Sequence, residues 1–175
     1  MRIRVQSHKP SNSAKALAEH LQIPRLSASS SRFVGRPSDI IVNWGNVNTV
    51  HNSHYLNPLQ AVKNAANKVT TFKQLQEASI PVPTVHYSKS TLEADKTYFA
   101  RTNLFGHSGD GIEVGIPTEL PEAQLYTEFI KTKHEYRTIV VDDEVVDLKK
   151  KLKKRDFEGD RSPYVWNVAN GYIFA

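Results

Sequence analysis

A glycine-rich loop is the first candidate for chemistry in this sequence. Three glycines fall within six residues in Gly106-His107-Ser108-Gly109-Asp110-Gly111. Because glycine has no Cβ, backbone N–H groups in such a loop can approach a bound anion closely. The G-x-x-G-x-G spacing differs from the dinucleotide-binding G-x-G-x-x-G, and the Lys-Ser/Thr pair of a P-loop is missing. By itself the loop favours an ordinary tight turn, with phosphate binding as the alternative.

Two carboxylates, Glu128 and Glu135, form the second candidate. Glu128 lies near the end of one predicted strand, and Glu135 opens the next. A chain that leaves a sheet and re-enters it has backbone groups that the strand ladder does not use, and these can bind a planar ligand. The alternative is a pair of surface glutamates.

A run of positive charge is the third candidate. Six of the seven residues in 149–155 (KKKLKKR) are basic, and the acidic stretch 142–147 (DDEVVD) precedes them. Composition alone favours a solvated strand edge or a mobile tail over a stripe that faces the phosphates of a nucleotide or a nucleic acid. Aromatic residues for base stacking are not interleaved with these lysines, which disfavours nucleic acid.

Metal chemistry has little support in the sequence. His51 and His54 form an H-x-x-H without a further cluster of ligands, and we interpret them as loop histidines. The absence of cysteine excludes disulfide scaffolds, thiolate zinc sites and cysteine nucleophiles. We therefore predict no metal-binding residue, and a reduced, cytoplasmic setting.

Length and composition are those of a globular protein. The 175 residues suffice for one compact domain or slightly more, and 39% are hydrophobic against 23% charged. No apolar run approaches the roughly 18 residues of a membrane-spanning helix. The charged start, residues 1–6, is unlike a secretory signal. The net charge of +5 permits a polyanionic partner without requiring one.

Strand and helix patterns predict the elements of the first half of the chain. Ile3 and Val5 alternate with arginines, apolar residues follow at helical spacing over 14–21, and 39–43 (DIIVN) is typical of a buried parallel strand. This strand–helix–strand pattern predicts a βαβ unit of an α/β protein. A further helix is predicted over 68–78.

After residue 80 the pattern changes to short strands. We predict strands at 85–87, 97–101, 112–114 and 125–130. Residues 135–141 and 145–152 flank a turn and predict a β-hairpin. The simplest division is an α/β half followed by a sheet-rich half.

Six short stretches combine these features in a recognisable order. They are Lys9-Pro10-Ser11-Asn12-Ser13, Asn43-Trp44-Gly45, Asn67-Lys68, Ala100-Arg101-Thr102, Gly106-His107-Ser108-Gly109 and Glu135-Tyr136-Arg137. Their order resembles the ATP-grasp superfamily, and within it the small ATP-grasp proteins of bacteriophages, along nearly the whole chain. The resemblance implies an α/β (α+β) ATP-grasp fold with a pre-ATP-grasp domain (1–80), an N-terminal subdomain (81–130) and an incomplete C-terminal subdomain (131–175).

The resemblance implies ATP as a cofactor and a role for each matching residue. Lys68 and Arg101 take the places of two phosphate-binding lysines, and arginine offers a planar fork instead of a point charge. Glu128 would accept a hydrogen bond from the adenine amino group, and Glu135 would bind the ribose. The backbone of Phe129 and Ile130 would read the other edge of adenine. The loop over the phosphates would consist of Gly106, His107, Ser108, Gly109 and Gly111.

The resemblance also implies catalytic residues and a magnesium cofactor. Arg137, Lys149 and Lys151 would point toward the γ-phosphate and the acceptor carboxylate. ATP-grasp enzymes hold Mg²⁺ with an acidic residue and a following E-x-N, and no E-x-N occurs in this sequence. The Mg²⁺ ligands are therefore not recognisable, and we expect the chain alone to be inactive.

The implied function is that of an ATP-dependent carboxylate–amine (peptide-type) ligase, if the chain is complete or complemented. The alternatives are a non-catalytic nucleotide-binding or interaction protein of phage origin and a basic nucleic-acid-binding protein. Expected partners are an adenine nucleotide, an acceptor molecule, peptide or protein, and a second copy or a completing chain. Self-association is expected because an unfinished subdomain would expose Trp166, Tyr172 and Phe174. No membrane partner is expected, and the location would be the host cytoplasm if the protein is phage-encoded.

Overall fold

The chain divides into unit 1 (Met1–Thr71) and unit 2 (Phe72–Ala175). The computed structural model describes residues 1–7, 10–27, 32–46, 50, 52–106 and 109–175. Within these ranges no helix has both the length and the apolar character needed to cross a bilayer.

Unit 1 is built on a parallel sheet with helices joined to its strands. Its elements are β1 (Ile3–Ser7), α1 (Asn12–His20), β2 (Arg25–Ser27), β3 (Ile40–Trp44), β4 (His54–Leu56), α2 (Leu59–Ala66) and α3 (Lys68–Glu77), the last of which crosses the division. The strand order is β2–β1–β3–β4. Ser11 begins α1 by accepting a hydrogen bond from the Ala14 backbone N–H at 3.2 Å. One face of α1, carrying Ala14 and Ala18, is buried with Val5 of β1.

The predicted βαβ unit is confirmed. β1 pairs with β3 in parallel from Ile3 opposite Ile40 to Ser7 opposite Trp44. The helix predicted over 68–78 is also confirmed, from Lys68 to Glu77. The sequence patterns did not indicate β2 and β4. Each has three residues, too few to show a period of two, so both depend on their neighbours in the sheet.

A buried carboxylate fixes the start of β3. Asp39 is 1% exposed and accepts hydrogen bonds from the Arg2 backbone N–H (3.0 Å), from Arg2 Nη2 (2.5 Å) and from the Arg36 backbone N–H (2.9 Å). The Arg2 guanidinium also lies 4.4 Å from the centre of the Phe33 ring. These hydrogen bonds, led by those of the Arg2 side chain, hold the pKa of Asp39 well below its usual range. The pair ties the first residues of the chain to the segment before β3.

Unit 2 contains two antiparallel sheets. The first has the order β5–β8–β6–β7, with β5 (Val85–His86), β6 (Tyr98–Arg101), β7 (Ile112–Gly115) and β8 (Tyr126–Glu128). The second has the order β11–β10–β9, with β9 (Tyr136–Val141), β10 (Glu144–Lys153) and β11 (Tyr172–Phe174). Short 3₁₀ turns occupy Lys89–Thr91 and Val168–Asn170.

Aromatic side chains form the core behind the first sheet. Tyr98 and Tyr126 are fully buried with Ala100 and Leu120. The Tyr126 hydroxyl donates to the Pro121 carbonyl at 2.9 Å, so the polar end of this buried ring is satisfied. The predicted strands of this region are confirmed, with ends that differ by a few residues.

The predicted hairpin is confirmed as β9 and β10. Asp142 and Asp143 join the two strands with φ angles of 52° and 63°, the left-handed pair that matches the twist of a tight hairpin. The expectation of exposed apolar surface at the chain's last strand is wrong for Tyr172, which is 5% exposed. That residue packs because β11 joins the sheet at Lys153. Exposed apolar side chains are most frequent in β9 and β10 within this sheet, and Ile173 of β11 is exposed as well.

The buried position of Asp39 predicts an acid-sensitive contribution to folding. Its pKa is lower in the folded chain than the unfolded value of about 3.9, so the stabilisation is complete above that pH and is lost as the pH falls toward the folded-state pKa. We expect Asp39→Asn to lower the urea midpoint at pH 7 and to make that midpoint less sensitive to acid below about pH 4.

The exposed Glu19 gives the matched control for this measurement. Glu19 and its partner Lys15 lie 3.7 Å apart on the surface of α1, so Glu19→Gln should leave the midpoint nearly unchanged. Equal midpoints for wild type and Asp39→Asn at pH 7, measured by circular dichroism, would contradict the stabilising role of the pair.

Candidate functional site

The hairpin cavity is a cavity of unit 2 that several predicted site residues line. It has a volume of about 710 Å³ and lies between the end of β6, the three strands of the second sheet and the segment 164–168. Five of the predicted site residues line it, namely Arg101, Gly109, Glu135, Arg137 and Lys151. Their side chains bring three cations and one carboxylate to one cavity, so the cavity favours an anion.

Arg101 is the cation of the cavity wall whose side-chain hydrogen bonding is incomplete. It is the last residue of β6 and stands opposite Ile112 of β7. Its Nε is buried and has no hydrogen-bond partner among the described residues. Burial lowers the pKa of the guanidinium, but arginine remains charged in proteins. A buried donor without an acceptor costs free energy, and an anion in the cavity would remove that cost.

Lys151 joins three parts of the cavity wall. Its ammonium group donates to a carboxylate oxygen of Glu135 and to the carbonyl of Trp166. It also lies 4.7 Å from the centre of the Phe174 ring. The side chain is 9% exposed, so these contacts replace water around a nearly buried charge.

Arg137 shares the Phe174 ring with Lys151. The Arg137 guanidinium carbon lies 3.9 Å from the ring centre, within the range of a cation–π contact. Arg137 stands opposite Lys149 in the β9–β10 ladder, so both side chains lie on the face of the hairpin that carries Lys151. Lys149 is not among the lining residues and contacts Asp147 at 3.2 Å instead.

A second, adjoining cavity is formed by aromatic side chains. This hinge cavity has a volume of about 530 Å³ and shares Phe99, Glu135, Tyr164 and Trp166 with the hairpin cavity. Phe129 packs edge-to-face against Phe99 (5.6 Å between ring centres) and against Tyr164 (5.2 Å). Ile130 also lines this cavity. Phe129 and Ile130, whose backbone is predicted to bind adenine, therefore both lie beside it.

The glycine loop is closed largely by its own contacts. Asn103 Nδ2 donates to Asp110 at 2.6 Å, and the Thr102 backbone N–H donates to the Gly111 carbonyl at 2.9 Å. Among the described residues of the loop, Gly109 lines the hairpin cavity, whereas Gly106 and Gly111 lie against other loop residues. His107 and Ser108 lie outside the described residues.

One further predicted site residue of unit 2 lines neither of these cavities. Glu128 pairs with Lys96 at 3.6 Å and lines neither cavity. Lys68 begins α3 within unit 1, and its role toward a nucleotide stays a prediction. The proposed roles of the remaining residues likewise stay predictions.

The sequence patterns missed the segment that completes the hairpin cavity. Trp166 stacks on Tyr172 with ring centres 5.2 Å apart and planes 6° from parallel, and both line the cavity together with Phe174. A signal was present, because Tyr172 and Phe174 alternate with Ile173 directly after Gly171. Three residues are too short a run to predict a strand without its partner.

The cavity walls do not fit a magnesium ion. Mg²⁺ requires oxygen ligands, usually carboxylates, at a site of strict geometry. Among the described lining residues Glu135 is the one carboxylate, and Lys151 occupies it. No group of three or more His, Asp or Glu residues with metal-binding proximity occurs in the described ranges.

Comparison with known proteins gives a structural match. No protein-family model matches the sequence, and no curated protein matches it. Among solved structures, a RimK-domain ATP-grasp protein from Sphaerobacter thermophilus DSM 20745 matches with a TM-score of 0.59. The alignment covers 86% of this chain and 72% of that chain, at 12% sequence identity. The chain has an ATP-grasp fold. The predicted fold class is therefore confirmed, and the resemblance to the bacteriophage members stays a prediction.

Within this ATP-grasp fold, the glycine loop gives a direct test of packing. Gly111 has a φ of +65°, and a Cβ there would lie 2.6 Å from the Asn103 backbone nitrogen. We expect Gly111→Ala to lower the free energy of unfolding by about 3 kcal/mol, from the backbone conformation and the collision together. Urea denaturation measures this change.

Gly45 separates the two causes. It has a similar φ of +73°, but a Cβ would meet nothing within 4 Å. Gly45→Ala should therefore cost only the conformational part, about 1 kcal/mol. Equal losses in the two variants would show that the glycine loop is not closely packed.

Proposed function

We propose that unit 2 binds ATP, with the phosphates in the hairpin cavity and the adenine in the hinge cavity. The buried Arg101 Nε carries this proposal, because it is a charged donor that lacks an acceptor at the wall of a cationic cavity. The ATP-grasp fold supports the choice of nucleotide. Phosphate oxygens are the acceptors that a planar guanidinium binds best.

The two cavities differ in the way a nucleotide requires. Three cations line the hairpin cavity, whereas Phe99, Phe129, Tyr164 and Ile130 give the hinge cavity apolar walls for a planar base. Glu135 lies where the two cavities meet, which suits the predicted contact with the ribose hydroxyls. Its pairing with Lys151 leaves it one carboxylate oxygen for such a contact.

We further propose that the bound ATP serves carboxylate–amine ligation. In that reaction a carboxylate oxygen attacks the γ-phosphorus, ADP leaves, and an amine then displaces phosphate from the acylphosphate. Arg137 would face the transferred phosphoryl group from β9, while Lys149 and Lys151 would attract the acceptor carboxylate. We include in this proposal an acceptor molecule, peptide or protein and an origin in a bacteriophage. The described donors of the two cavities do not fit Mg²⁺.

Nucleotide binding gives the first test. Isothermal titration calorimetry should show ATP binding with a dissociation constant on the order of 10–1000 µM. Arg101→Gln and Arg137→Gln should each weaken it by about tenfold to hundredfold, because each removes a charged hydrogen bond to phosphate. Absence of heat with folded wild type would overturn the proposal.

Lys150→Gln is the matched control. Lys150 neighbours Lys151 in β10 but alternates to the opposite face of the sheet and lines neither cavity. The substitution removes the same charge, so an effect of bulk charge would appear in it as well. Equal weakening by Lys150→Gln and Arg137→Gln would show that net charge, not the cavity, governs binding.

Catalysis gives a separate test, in which we expect no activity from the isolated chain. Because the described cavity walls do not fit Mg²⁺, the isolated chain should release no phosphate above background with ATP, magnesium and a panel of amino acids and peptides. A malachite-green assay measures the release. Phosphate release that requires an acceptor and is lost in Arg137→Gln would contradict this expectation.

A further inference from the structure

The outer edge of β9 has no partner strand in the described part of the chain. β9 is the terminal strand of the order β11–β10–β9, and all six of its residues are exposed. Tyr136, Val140 and Val141 are each more than half exposed, at 53%, 56% and 58%. A long apolar edge with free ladder groups is a site for pairing with another strand.

Backbone hydrogen bonds show which residues of β9 face outward. The Lys151 N–H donates to the Glu135 carbonyl at 2.8 Å, while Lys150 exchanges two hydrogen bonds with Ala175 on the other side of β10. Residues of β9 therefore alternate from Glu135 onward, with Arg137 also directed at β10. The N–H and C=O groups of Tyr136, Thr138 and Val140 are left on the open edge.

We propose that a second copy of this chain pairs with β9 in antiparallel fashion about a two-fold axis at Thr138. This register places Thr138 opposite Thr138 of the second copy, and Tyr136 opposite Val140. Every outward-facing residue then meets another outward-facing residue, so each pair exchanges two backbone hydrogen bonds. Aromatic with β-branched and Thr with Thr are favourable cross-strand pairs.

Neighbouring registers pair fewer of the outward-facing residues of β9. An axis at Ile139 would place Tyr136 opposite Asp142, which lies in the turn with a φ of 52° and has left the strand. An axis between two residues would bring outward-facing groups opposite inward-facing ones. The axis at Thr138 is the register that engages all three outward-facing residues.

The charges beside β9 are complementary in the same register. Residues 131–134 (KTKH) precede the strand, and residues 142–144 (DDE) follow it. The two-fold axis brings the basic end of one copy to the acidic end of the other, with Lys133 near Asp143. A parallel pairing would bring like charges together, which is unfavourable. The charges and the register therefore both favour a second copy of this chain as the partner of β9.

Single cysteines test the register directly, because the chain contains none of its own. Thr138→Cys would pair with itself at a Cα separation of about 5.5 Å, which a disulfide spans. Two copies of Val140→Cys would be more than about 13 Å apart, although this residue is also exposed on the same strand. Diamide accepts the two hydrogens that the thiols lose.

Non-reducing electrophoresis reads the outcome. We expect the covalent dimer to dominate for Thr138→Cys and to form at least about fivefold less for Val140→Cys, because only the first pair meets disulfide geometry. Equal cross-linking of both variants would overturn the register. Absence of cross-linking in both, with wild type sedimenting as a monomer at high concentration, would overturn the pairing.

A charge reversal tests the ends of the strand without a new thiol. Lys133→Glu should weaken the dimer by about tenfold in sedimentation equilibrium, because like charges then face each other twice. Lys153→Glu changes the net charge equally but lies at the end of β10 that pairs with β11, so it should have little effect. Equal weakening by both would contradict the proposed contact. The inference does not depend on nucleotide binding, and calorimetry with ATP tests the two separately.

Discussion

A nearly buried ammonium group, that of Lys151, connects three segments that lie far apart in the sequence. It donates hydrogen bonds to the Glu135 carboxylate, which precedes β9, and to the Trp166 carbonyl. It also contacts the Phe174 ring of β11. A buried cation is tolerated only when its donors are satisfied, so these segments must converge on it. Both cavities of unit 2 include Glu135 and Trp166, and their walls therefore depend on this one convergence.

This convergence also sets the electrostatic character of the site. Glu135 is neutralised by Lys151, which leaves the charges of Arg101 and Arg137 uncompensated within the described walls. A nucleotide triphosphate would meet two guanidinium groups held from different sheets, one on β6 and one on β9. Guanidinium groups have a fixed hydrogen-bond geometry, so such a site would orient phosphates as well as attract them.

The parts of the fold that were predictable from sequence are those with local patterns. The βαβ unit shows alternation and helical spacing, and the hairpin shows two apolar runs around Asp142 and Asp143. The strands β2, β4 and β11 have three residues each and are stabilised by neighbours distant in sequence. Any local pattern in them, including the alternation of Tyr172 and Phe174 with Ile173, is too short to predict a strand. Arg101 and Arg137 were identified from the order of motifs, whereas Trp166 and Tyr172 were expected to be exposed and line the cavity because of tertiary packing.

The turn between β9 and β10 bears on how the site assembles. Asp142 and Asp143 close the hairpin between residues adjacent in sequence, and such contacts form within microseconds. Joining β11 to β10 requires closure of the whole segment between Lys153 and Tyr172, which costs more chain entropy. The hairpin should therefore form before the cavity. We therefore expect the Lys151 ammonium group to stay hydrated until β11 joins the sheet, so that its desolvation is a late step of folding.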